Sequence, residues 1–261
     1  MTKTNTLQAT KEFYVKIQSI EKTRVLQSMT KAFIDYLEGK EPSLQKVISY
    51  LLTTKMNGKM EGFQSLSTSN LCNEYCKAYK TIANCICSEC YANNQLLMYK
   101  NQALKLELAT LVLKELLKVE DLPKINASYF RFEAFGDLSN ETQFINYCNI
   151  ARINNDTHFT LWTKNPFIIA MAIENGCTVP DNMRIIYSEK IIDKTFTENE
   201  LIALNEKYPF IWKVFAVYSN EKTRAAAVEN GYHHCEKSCM NCRYCYRHDS
   251  NGLSVIAELL K

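Results

Sequence analysis

Glycine and proline are scarce in this 261-residue chain, at 7 and 5, and no low-complexity stretch or internal repeat is visible. Long apolar runs are missing too. The longest, Phe167 to Ile173, is far too short to span a bilayer. The opening Met1-Thr2-Lys3-Thr4-Asn5-Thr6 has no apolar core of the signal-peptide kind, so the expected location is the cytoplasm, with no membrane partner. Neither sign of charge is in excess: 31 basic and 28 acidic residues leave +3, which argues neither for nor against nucleic acid. A Gly-rich phosphate loop and a paired-histidine metalloprotease motif are also absent.

The chain is 46% hydrophobic and carries 12 Phe and 15 Tyr, which excludes a mainly disordered protein. Its length allows one large domain or two small ones around a sizeable core. Most informative are the 11 cysteines. In a reducing compartment, clustered cysteines point to metal or catalysis before disulfides. Cys72, Cys76, Cys85, Cys87 and Cys90 lie in one stretch, and Cys235, Cys239, Cys242 and Cys245 in another. Cys148 and Cys177 stand in apolar contexts and read as buried small hydrophobes.

The periodicity divides the chain into three parts. Residues 1–57 read as an N-terminal helical segment, with Phe13, Ile17, Ile20, Val25, Met29, Phe33 and Leu37 on its apolar face and Gly39 as a stop. Residues 58–231 alternate strands with helices. Strands are expected at Phe63 to Ser67, Ala127 to Phe135, His158 to Thr163, Met183 to Tyr187 and Trp212 to Tyr218. Helices are expected at about Ala92 to Lys118, with Leu97, Leu104, Leu108 and Leu111 buried, and at Asn140 to Ile153, Pro166 to Asn175, Glu198 to Asn205 and Glu221 to Asn230. Such alternation predicts a parallel α/β fold whose sheet is open or curled into an incomplete barrel. Residues 232–261 form a cysteine-rich cluster-binding segment, ending in an element of undecided type at Ser254 to Leu260.

The first cysteine stretch follows the first strand, where parallel α/β proteins bind ligands. Zinc would accept Cys72, Cys76, Cys87 and Cys90 as two paired knuckles, so spacing leaves the metal open. Cys85 is then an alternative ligand or a buried thiol. Cys235, Cys239, Cys242 and Cys245 form a compact run that favours an iron–sulfur cluster, with zinc as the alternative. His233 and His234 could replace a cysteine there. Glu133 would become a cavity carboxylate if the sheet curls, or else a solvated strand end. Lys164 and Asn165 could meet a carboxylate or phosphate, while Asn165 is also an ordinary helix-entry residue. His158, at the opposite edge, is given no catalytic role. Arg243, Tyr244, Tyr246, Arg247 and His248 make a basic-aromatic surface of the kind that binds single-stranded nucleic acid, or a solvated rim.

Cys87-Ser-Glu-Cys90-Tyr-Ala, Arg131-Phe-Glu-Ala-Phe-Gly-Asp137, His158-Phe-Thr-Leu-Trp-Thr-Lys-Asn-Pro166 and the terminal cysteine run together resemble the phage gene-product-88-like family. The match runs from about Phe63 to the C-terminus. It implies a phage or prophage protein, in the host cytoplasm if phage-encoded. It also implies an incomplete (β/α)6-type barrel resembling radical S-adenosylmethionine (SAM) enzymes. In those enzymes a three-cysteine loop after the first strand holds a [4Fe-4S] cluster with one iron left for SAM. Reduction then cleaves SAM to a carbon radical that abstracts hydrogen from a substrate. On this resemblance Cys76, Cys87 and Cys90 hold that cluster, and Gly136 and Asp137 contact the amino group of SAM. A reductant protein becomes a partner, and the terminal run forms a closed auxiliary cluster. The alternative is a non-catalytic protein with structural iron–sulfur or zinc sites that binds nucleic acid or a protein partner.

Overall fold

The computed structural model describes residues 3–235, 238–247 and 253–260. Three helices lead: α1 (Lys3–Gln18), α2 (Arg24–Leu37) and α3 (Gln45–Leu51). Strand β1 (Gln64–Leu66) follows, then α4 (Glu74–Lys80), α5 (Tyr91–Met98) and α6 (Lys100–Val112). The chain then alternates β2 (Tyr129–Phe132), α7 (Glu141–Ile153), β3 (His158–Thr163), α8 (Pro166–Glu174), β4 (Met183–Ser188), α9 (Glu198–Lys207), β5 (Ile211–Tyr218) and α10 (Glu221–Glu229). It closes with β6 (His233–His234), α11 (Cys239–Cys242) and β7 (Ser254–Leu259).

The helices start where side chains satisfy the first backbone N–H groups. Asn140 accepts from the Gln143 amide, Asn220 from Thr223, and Thr197 with Glu200 makes a reciprocal capping box. Pro166 opens α8, where its missing N–H costs nothing.

All seven strands pair in parallel, in the order β1-β2-β3-β4-β5-β7-β6. Among the described residues β1 and β6 end the strand order and do not pair with each other, so the sheet is not closed; an antiparallel bridge joins Ser65 of β1 to Thr53. Alternation gives each strand two faces. Phe130, Phe132, Phe159 and Leu161 point to the outer face. They join Phe144, Tyr147 and Ile150 of α7 in a core that also holds Phe13, Phe33, Leu44 and Ile48 of the N-terminal segment. The first three helices therefore share the sheet's core, and the boundary at residue 57 falls within it.

The inner face carries Arg131, Thr160, Trp162, Lys213, Phe215 and Ile256, placed there by the parallel registers. It is covered by the chain's own cysteine segment. The Tyr246 ring packs against Phe63 and Tyr129, and its hydroxyl accepts from Thr160 Oγ1 at 3.0 Å and donates to the Phe130 carbonyl at 3.2 Å. The Tyr244 ring stacks on His233 at 3.7 Å and lies under the Lys213 ammonium at 4.3 Å. Before β1, Lys59 reaches the far side of the sheet. Its Nζ pairs with Glu258 of β7 at 2.7 Å and donates to the carbonyl of Cys235 at 2.5 Å. Lys59, five residues before β1, thus meets a strand five places away in the strand order, an arrangement compatible with a partial barrel.

Several expectations are corrected. The long helix after the first cysteines is broken at Tyr99, which adopts φ −104° and ψ 75°. The break shifts the phase, so Leu96 is buried while Leu97 is 60% exposed. Val25, at 60%, lies off the apolar face of α2. β2 is four residues long, not nine, because Glu133 takes φ +55° and ends it. The His233–His234 strand was not foreseen, and the closing element is a strand inserted between β5 and β6.

Removing the acidic half of the Lys59–Glu258 contact leaves a partly buried ammonium without its carboxylate. Glu258→Ala is expected to lower stability by about 1–3 kcal/mol, read as a lower denaturant midpoint with an unchanged slope.

Candidate metal centres

The loop after β1 is fixed to the ends of β2 and β3 before any cysteine is considered. Asn73 caps α4 by accepting from the Tyr75 amide at 2.9 Å, and its Nδ2 donates to the Asp137 carbonyl at 2.9 Å. The Tyr75 hydroxyl donates to the Lys164 carbonyl at 2.7 Å, and the Tyr91 hydroxyl to the Ala134 carbonyl. These anchors set Cys76 on α4, Cys87 in the following turn and Cys90 at the start of α5.

The thiols of Cys76, Cys87 and Cys90 lie close enough to act on one another electrostatically. Burial, first, and these neighbours push Cys76 far above the ordinary thiol value and Cys87 up to about 12. The Lys164 ammonium sits beside all three. Burial pulls it down, but Asp137 and the three thiols together raise it above its ordinary value. Cys85 is buried and touches Cys87, and its backbone bridges to Ile191. Cys72 is turned away: it lines a separate cleft of about 340 Å³ with Lys16, Glu107 and Thr110, between α1 and α6. Cys76, Cys87 and Cys90 thus share one neighbourhood with Lys164, Cys85 lies against Cys87, and Cys72 lines a different cleft.

Gly136 and Asp137 are spent on the fold. A Cβ on Gly136 would lie 2.5 Å from Glu133 Oε2 and from Thr68 Oγ1, so only glycine fits there. Asp137 Oδ1 accepts from the Thr163 hydroxyl at 2.5 Å and the Leu138 amide at 2.8 Å, and Oδ2 from the Lys164 amide at 2.9 Å. Both oxygens have protein donors. Glu133 is no cavity carboxylate. Its left-handed backbone turns it to the outer side, where Thr68, Gln143 and Tyr147 donate to it.

Cys235, Cys239, Cys242 and Cys245 all line one inner-face cavity of about 30 Å³, bounded by Met60, Arg131, Trp162 and Tyr244. His233 Nε2 lies 3.3 Å from Cys242 Sγ. Burial raises Cys235 and Cys239 and takes Cys245 to about 12, while Lys59, Arg131 and Lys213 act in the opposite direction. Four soft thiols with cations behind them suit a cluster or zinc, because a metal cation is what would keep such buried sulfurs deprotonated. Among the described residues no three His, Cys, Asp or Glu side chains are drawn together tightly enough to hold a single metal ion.

The expected basic-aromatic surface is not a stacking platform. Tyr244 and Tyr246 face inward, the Arg243 guanidinium lies over the Tyr129 ring at 5.1 Å, and His248 lies outside the described residues. Asn165 is the residue before Pro166 of α8, and His158 stacks on Tyr129 at 5.6 Å. Sequence reasoning missed Lys59 and Lys213. Lys213 is fully buried, and a charged residue inside Ile-Trp-Lys-Val-Phe-Ala-Val-Tyr was the available signal.

Glu133 gives a pH test. Burial, opposed by its donors, raises its carboxyl from 4.5 to about 7. The folded chain then keeps a proton that the unfolded chain has released, so stability falls as pH rises across that window. The expected loss is about 3 kcal/mol, and Glu133→Gln flattens the slope in denaturation measured from pH 4.5 to 7.5. No helix among the described residues is long and apolar enough to cross a membrane. Comparison with known proteins finds no matching family model, curated protein or solved structure.

Proposed function

We propose that this chain is an iron–sulfur protein of radical-SAM-like architecture, with an open cluster held by Cys76, Cys87 and Cys90 and a closed one held by Cys235, Cys239, Cys242 and Cys245. The observation that carries this reading is the three-thiol set itself. It stands in the loop after the first strand of an all-parallel sheet, and Cys72 is turned away from it. Structural zinc sites take four protein ligands, whereas three thiolates leave one iron of a cubane for a small molecule. That small molecule would be S-adenosylmethionine, and a cluster held by Cys76, Cys87 and Cys90 would supply one-electron reduction at this site. Lys164, beside the three thiols, would meet the carboxylate of SAM. Asp137 orients Lys164 by holding its backbone amide and facing its charge. An incomplete barrel fits the way Lys59 bridges the region of the two sheet edges. The reductant is an external electron donor, and the substrate is an unassigned hydrogen donor.

Protein purified without oxygen is expected to carry about eight iron and eight sulfide per chain, two cubanes. Cys72→Ser should keep that content, while Cys76→Ser, Cys87→Ser and Cys90→Ser should each lose about half of it. SAM should change the electron paramagnetic resonance signal of the reduced protein, and Lys164→Met should raise the SAM concentration needed. Two zinc and no iron would replace this reading with a non-catalytic protein held together by structural metal. Equal losses in Cys72→Ser and Cys76→Ser would remove the three-thiol argument.

A further inference from the structure

Four cysteines stand outside the two sulfur sites, and two of them, Cys148 and Cys177, also lie apart from both cysteine stretches; the structure does not treat these two as inert core residues. Cys148 is fully buried on α7. Cys177, just past the end of α8, is only partly covered and donates from Sγ to the Thr178 carbonyl at 3.8 Å; it packs against the core cluster that holds Cys148, where the two thiols act directly on one another. The Cys177 backbone is fixed by its amide, which donates to the Ala172 carbonyl at 2.9 Å. On α7, one turn beyond Cys148, Arg152 reaches across. Its guanidinium donates to the Thr178 carbonyl at 2.5 Å and to Thr178 Oγ1 at 2.8 Å, which parks a fixed cation beside Cys177.

From this arrangement we propose that Cys177 and Cys148 form a reactive dithiol, an attacking and a resolving cysteine that close a reversible disulfide between α7 and the end of α8. Three features carry it. One sulfur is open to solvent, the other is shielded and already touches it, and a cation stabilises negative charge on the open one. Redox-sensing cysteines have this combination, whereas structural cysteines lack both the access and the cation. The contact with Cys148, and after it the Arg152 cation, hold Cys177 down at about 6, while Cys148 is held well above the ordinary value.

The oxidant is a small disulfide such as oxidised glutathione. The Cys177 thiolate attacks one of its sulfurs, forming a mixed disulfide and releasing one glutathione thiolate. The Cys148 sulfur then attacks the Cys177 sulfur and displaces the second glutathione, which leaves with the Cys148 proton. The protein loses two electrons, and one glutathione disulfide becomes two thiols.

The test uses the full chain, loaded with whatever metal it carries, and peptide mapping to resolve the two cysteines from the other nine. With iodoacetamide at pH 6, Cys177 should react about twentyfold faster than an ordinary thiol. Its much larger thiolate fraction outweighs the lower nucleophilicity of a more acidic sulfur. Oxidised glutathione should give a Cys148–Cys177 peptide pair that dithiothreitol reverses. Cys148→Ser should stop at glutathione on Cys177, and Cys177→Ser should leave Cys148 unmodified. A persistent mixed disulfide on the unaltered chain, or Cys177 alkylated no faster than an ordinary thiol, would overturn the proposal. The unaltered chain alone decides between these results, so a variant that fails to fold leaves the test intact. Metal content does not enter it.

Discussion

A parallel sheet has two faces to hide from water, and this chain hides them by unlike means. The outer face is covered in the ordinary way, by helices that bury Phe130, Phe132, Phe159 and Leu161 in an apolar core. The inner face carries Arg131, Trp162, Lys213 and Glu258, which no oily helix could cover without stranding charge. The cysteine segment covers it instead, with Tyr244 and Tyr246 contributing ring area and the thiols lying where the cations are. The enclosure of the second sulfur site and the burial of Lys213 both involve that cover.

The two sulfur sites share one strand. Residues Thr160, Trp162 and Lys164 follow one another on the inner side of β3 and its exit. Thr160 holds the Tyr246 hydroxyl, Lys164 faces the three thiols, and Trp162 lies between them. Trp162 is itself clamped, with Arg131 over its ring at 4.1 Å and Phe215 against it at 4.4 Å. With strand residues rising about 3.3 Å each, Thr160 and Lys164 stand about 13 Å apart along the strand direction.

Much of this was legible in the sequence, and what was not has identifiable physical reasons. β3 spans His158 to Thr163 as alternation and the following Asn-Pro indicated, and α7 begins after Asn140 as its cap required. The long helix failed at Tyr99 because apolar spacing continues across a break that changes its phase. Glu133 failed because a single left-handed residue ends the alternation used to aim it. β6 is too short to produce a pattern, and β7 could be typed only by the strands that flank it. Cysteine spacing grouped nine of the thiols into two stretches, but it could not tell that Cys72 turns toward α1. Nor could it tell that Cys148 and Cys177, 29 positions apart by their numbers, touch.

The position of β7 has a kinetic consequence. Glu258 and Lys59 are 199 residues apart, and β7 must enter between β5 and β6 before that pair can form. Contacts so distant in sequence carry the largest loop-closure cost and slow folding. A chain whose first five strands are already paired can therefore still hold its terminal thiols in water, with ordinary acidity and open to an incoming metal. Insertion of β7 then ends that interval, turning a solvated chelating loop into the lining of a closed interior.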